Sequence, residues 1–92
     1  MADMTYLESE ALGDFSQAFE MFIQRIENHC SKMENGISYS RAYMKDPVSE
    51  KAFDDTLLIC TNIRSVLNPA KLVLEKTIQM KKEMDYSENL LI

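Results

Sequence analysis

Few residues in this chain could do chemistry. The soft ligands are His29, Cys30 and Cys60, and the tightest carboxylate group is Glu50, Asp54 and Asp55. A structural zinc site takes four ligands, and adjacent helical residues point about 100° apart, so His29 and Cys30 do not converge on one ion. Cys30 and Cys60 lie equally far from Lys45, and in a hairpin that reverses there they share a level. A disulfide needs Cα atoms within about 7 Å, whereas packed helix axes stand about 8 to 10 Å apart. Two buried free thiols are expected in a reducing cytoplasm, with a disulfide as the alternative after export. Glu50, Asp54 and Asp55 crowd the first turns of a helix, where acids complement the dipole and face solvent. The sequence has no Gly-rich phosphate loop, no Ser/His/Asp set and no Glu-x-x-His pair. The expectation is a chain that is not an enzyme and holds no metal or cofactor.

The elements around these residues are helical. Leu12, Phe15, Phe19, Phe22, Ile26, Cys30, Met33, Ile37 and Met44 recur mostly at steps of three and four. Ile59, Ile63, Val66, Ala70, Val73, Met80 and Met84 repeat the pattern, which is the period of one helix face. Between the two stripes stands Lys45-Asp46-Pro47, with Asp46 as an N-cap and Pro47 at the first helical position, where a missing amide hydrogen costs nothing. Thr5 and Glu8 match a capping box. The reading is one all-α domain over 1–92, a long antiparallel helical hairpin: a helix over about 6–44, a turn at 45–47, and a helix over about 47–84. A kink is expected near Pro69, weak points at Gly13 and Asn35-Gly36, and a frayed tail over 85–92.

Charge narrows the partners. The net charge is −5, with eight acids against four bases in residues 1–46 and seven against six in 47–92. Binding a polyanion needs clustered Lys and Arg, and Lys81-Lys82 is too short, so nucleic acid is not expected. Uninterrupted apolar runs are only a few residues long and Ala2-Asp3-Met4 opens no signal peptide, so neither a membrane span nor a cleaved leader is expected. The expected location is cytoplasmic, with export only by a route that reads no cleaved signal.

The first stripes supply an intramolecular seam: Phe15, Phe19, Phe22, Ile26 and Met33 against Ile59, Ile63, Val66, Val73 and Met80. The second helix carries a neighbouring stripe of Phe53, Leu57, Cys60, Leu67, Leu74 and Ile78. Together they are wider than one facing helix covers. The second stripe is expected to be a partner interface, because continuous exposed apolar patches mark protein contacts. The partner is a helical protein in a hetero-oligomer or homodimer, forming a bundle of four or more helices. Helix-in-groove contact would carry the affinity, with Met21, Met33, Met80 and Met84 adapting to an irregular mate.

The segments Cys30-Ser31-Lys32-Met33-Glu34-Asn35-Gly36-Ile37, Tyr43-Met44-Lys45-Asp46 and Ile63-Arg64-Ser65-Val66-Leu67-Asn68-Pro69-Ala70, set in a hairpin of this length, resemble the small WXG-type proteins of type VII secretion and the helical partners of LXG-type toxins. Tyr43-Met44-Lys45 stands where that family has its Trp motif, and Tyr86 is followed four residues later by Leu90 instead of an acid. The resemblance implies an adaptor that binds the helical domain of a secretion substrate and helps present it for export. Two other functions fit the same architecture: a co-chaperone or assembly factor of another secretion apparatus, and a structural coiled-coil subunit.

Overall fold

The computed structural model describes residues 2–91, and side chains from Leu7 to Ser87. Two helices account for the fold, α1 over Ala2–Arg41 and α2 over Pro47–Leu91. They form an antiparallel hairpin 68 Å long and only 16 by 14 Å across. The turn is built as its residues dictate. Asp46 Oδ1 accepts from the Ser49 amide at 2.9 Å and Oδ2 from the Ser49 hydroxyl at 2.7 Å. The Asp46 carbonyl takes the Glu50 amide at 3.0 Å, which closes the first turn of α2 behind Pro47. The hydroxyl of Ser49, followed by its amide, holds the Asp46 carboxyl below the usual carboxylate range.

Several boundaries differ from expectation. α1 runs back to Ala2, so Thr5 lies inside it and does not cap it. α1 also stops at Arg41, three residues early, because Ala42, Tyr43 and Met44 turn their amides onto the carbonyls of Tyr39 and Ser40. α2 continues past 84 to Leu91, so Asp85 to Leu91 is helix, and Ile92 lies outside the described residues. Neither Gly13 nor Gly36 interrupts α1, and Pro69 stands inside an uninterrupted α2. Pro69 has no amide to give the Ser65 carbonyl. The phase nevertheless carries across it, with Leu67 buried before and Leu74 half-buried after.

The helix contact has a seven-residue rhythm. Along α1, Ser9, Ser16, Ile23, Cys30 and Ile37 are buried at successive steps of seven. α2 answers with Phe53, Cys60, Leu67 and Leu74 at the same step, Cys60 and Leu67 fully enclosed and the other two half-buried. A sustained heptad keeps a narrow seam facing one partner helix. Small residues hold its tightest point: the largest side chains that lose nearly all contact with water are Cys30 and Cys60.

The expected seam is therefore corrected. Phe15, Phe22, Met33, Ile59, Val66, Val73 and Met80 are exposed, Val66 by 68% and Phe22 by 56%. Phe19, Ile26 and Ile63 are half-buried at the margin. The expected partner stripe of Phe53, Leu57, Cys60, Leu67, Leu74 and Ile78 instead lies at or beside the intramolecular contact. The reason is steric, since a two-helix seam closes most tightly over residues that let the backbones approach, and bulky Phe and Val side chains hold helices apart.

Candidate functional site

Charged side chains close one flank of the hairpin. Glu27 pairs with Lys71, Glu34 with Arg64 and Arg41 with Asp54, all between the helices. Arg64 also reaches the Ser31 hydroxyl at 3.2 Å. The Glu34 carboxyl is held low chiefly by its hydrogen bond from Arg64. Toward the open end, the Ser9 hydroxyl donates to Asp85, and Lys81 bridges Asp85 at 2.8 Å. Lys81 crosses close over Gly13, where a Cβ would stand 2.7 Å from Lys81 Cε. A shallow polar groove lined by Glu27, Thr61, Arg64, Ser65, Asn68 and Lys71 runs along this flank.

The opposite flank is apolar and uncovered. In an antiparallel pair the positions just past the seam on one side of each helix meet each other, and the ion pairs show which side that is. Phe15, Phe22 and His29 each precede a buried seam residue of α1, and Val66 and Val73 precede Leu67 and Leu74 of α2, which places them together on this flank. Phe15, Phe22, Val66, Val73 and Met80 are each about half exposed or more. Three of the aromatic rings form a ladder: Phe15 and Phe19 are stacked with centroids 5.5 Å apart, and Phe19 and Phe22 at 6.5 Å. Ile59, Ile63, Ala70 and Met84 prolong the surface along α2. None of the described residues covers it. A continuous apolar face on this scale is more than scattered surface hydrophobes provide.

The residues singled out for chemistry stay apart or inert. His29 is exposed on the apolar flank, whereas Cys30 is 1% exposed in the seam. Cys30 and Cys60 are both free thiols buried in the seam. Burial, more than its neighbour, pushes the Cys60 thiol up. Among the described residues no three or more His, Cys, Asp or Glu side chains gather in a way that could hold a metal. Asp54 is drawn to Arg41 and Asp55 to Lys51, the latter pair at 2.9 Å, so these carboxylates serve ion pairs. The uncovered flank is made of residues expected in the seam: Phe15, Phe22, Val66, Val73 and Met80.

α2 also contains an 18-residue stretch of mean hydropathy 1.2, long and apolar enough by that measure to cross a membrane. Arg64 and Lys71 lie within the same helix and are engaged by carboxylates of α1. Compared with family models, with curated proteins and with solved structures, the chain gives no significant match.

Proposed function

We propose that this chain is a non-enzymatic helical adaptor that uses its uncovered apolar flank to receive the helical domain of another protein and complete a bundle with it. The observation that carries this reading is the flank itself, in which Phe15, Phe22, Val66, Val73 and Met80 stand exposed along both helices. Its exposed apolar side chains run from Phe15 to Phe22 on α1 and from Ile59 to Met80 on α2, about 30 Å along the latter helix. The Phe15, Phe19 and Phe22 ladder supplies the aromatic anchors that dominate such interfaces. Its shape also suits the task, since two helices with one apolar side are half of a four-helix bundle.

Within that reading, the partner is the helical domain of a type VII secretion substrate, which the adaptor helps present for export. The support is the sequence resemblance to WXG-type proteins and toxin-associated helical partners. Coexpression with the helical domain of an LXG-type toxin from the same organism tests it. The reading expects a stable complex of defined stoichiometry that Phe22→Asp dissolves. Two proteins that elute separately, both folded, would remove the secretion assignment.

A further inference from the structure

The cations of this acidic chain are not distributed evenly between its two flanks. Arg41, Lys51, Arg64, Lys71 and Lys81 each hold a carboxylate of the same molecule. Arg25, Lys32, Lys45, Lys76 and Lys82 hold none among the described residues, and all five are exposed; Lys45 is in the turn and Lys82 lies toward the open end, which leaves Arg25, Lys32 and Lys76 along the middle. Their positions are related. Arg25 and Lys32 are seven residues apart and stand three beyond Phe22 and His29, at the outer edge of the apolar flank on α1. Lys76 stands three beyond Val73, at the matching edge on α2. The middle of the flank is thus an apolar strip with the Phe ladder on it, Arg25 and Lys32 on one border and Lys76 on the other, where Asp55 and Glu83 stand at the same heptad position and are engaged by Lys51 and Gln79.

A second copy of this chain does not answer those cations. Two copies meeting face to face about a two-fold axis have two solutions. With the axis along the hairpin, α1 of one copy lies over α2 of the other, which brings Arg25 to Pro69, Lys32 to Asn62 and Lys76 to Ala18. With the axis across it, the two α1 edges meet, and these carry Ala11, Ala18, Arg25, Lys32 and Tyr39 without a carboxylate, while the α2 edges bring Lys76 to one that carries Asp55 and Glu83. Either way, Arg25 and Lys32 would be brought into an interface without mates, at a cost that opposes assembly. We infer that the flank binds an amphipathic α-helical segment of a different protein, whose apolar stripe is bordered by Asp and Glu that pair with Arg25, Lys32 and Lys76. This deepens the adaptor reading and rests on it. The large apolar contact would supply affinity and the border charges would select the partner, because a stripe bordered by Lys or Arg would meet like charge.

The test uses the full chain and two designed helical-hairpin probes with one identical apolar stripe, bordered by Glu in the first and by Lys in the second. Binding is followed by fluorescence anisotropy in low and high salt, with the mass of the unliganded chain measured by light scattering. The Glu-bordered probe is expected to bind at least tenfold tighter, with the preference shrinking in high salt. Arg25→Glu/Lys32→Glu/Lys76→Glu, three exposed positions that leave the seam intact, is expected to reverse the preference. Phe22→Asp is expected to abolish binding of both probes while circular dichroism keeps its helical signal. Equal binding of both probes would overturn the charge selection and leave the adaptor reading standing. Binding of neither probe to a monomeric chain would overturn the adaptor reading as well. A folded dimer in which neither probe binds and Phe22→Asp restores the monomer would make a second copy the occupant and overturn this inference.

Discussion

Replacing Leu67 and Val66 by Ala, one at a time, separates the two stripes by their energies. Leu67 is 4% exposed and Val66, the next residue, is 68% exposed. Truncating a buried Leu to Ala in a core costs about 2 to 5 kcal/mol, through lost transfer energy and the cavity left behind. A seam with helices on one side only collapses more readily than an enclosed core, which places Leu67→Ala at the low end, about 2.5 kcal/mol. The folded-to-unfolded ratio then falls by about 60-fold, since 1.4 kcal/mol is a factor of ten. Val66→Ala removes two methyl groups already in water, and surface changes stay within about 0.5 kcal/mol. Urea unfolding followed by circular dichroism measures both, and runs at two protein concentrations separate the intramolecular seam from self-association. A larger loss at Val66 than at Leu67, independent of concentration, would refute the seam described here.

Other consequences follow from individual side chains. The Ser16 hydroxyl is buried in the seam without a hydrogen-bond partner, so Ser16→Ala is expected to raise stability by about 1 kcal/mol, read as a higher urea midpoint. Pro69→Ala returns an amide donor to the Ser65 carbonyl and is expected to stabilise by about 1 to 2 kcal/mol, the gain being reduced by the greater freedom of the unfolded chain. Asp46 has its carboxyl pKa lowered in the fold, so its contribution is complete above the unfolded value of about 3.9 and is lost as pH falls through the folded value. Melting temperature should accordingly hold from pH 7 to 5 and drop below pH 4, and Asp46→Asn, which keeps the cap but does not titrate, should make that drop smaller. Cys30 and Cys60 are sealed in the seam, so a thiol reagent should label neither within minutes in the native state and both in urea.

What could be read from the sequence divides along physical lines. The turn was legible because its determinants are local: Asp46, Pro47 and Ser49 meet within four residues and need no tertiary contact. Helical hairpin architecture was legible for the same reason, since periodicity survives whichever face turns inward. The choice of face was not, because ranking stripes by apolar bulk favours Phe15, Phe22 and Val66, whereas close helix approach favours Ser9, Ser16 and the two cysteines. A usable signal did exist. Ser9, Ser16, Ile23, Cys30 and Ile37 keep an unbroken heptad, and Glu27, Glu34, Arg64 and Lys71 stand where opposite charges face each other across an antiparallel pair. The weak point at Gly36 does not interrupt α1 and Pro69 does not interrupt α2, for a related reason. Each costs a single helix about 1 to 3 kcal/mol, but the seam on both sides of the site holds the phase.

The account turns on which side chains face water in the isolated chain, and methyl NMR with a dissolved gadolinium chelate measures that residue by residue. Fast relaxation at Ile59, Val66, Val73 and Met80, with Ile23, Ile37 and Leu67 protected, is the predicted pattern. Protection of Val66 and Val73 with Leu67 exposed would contradict it.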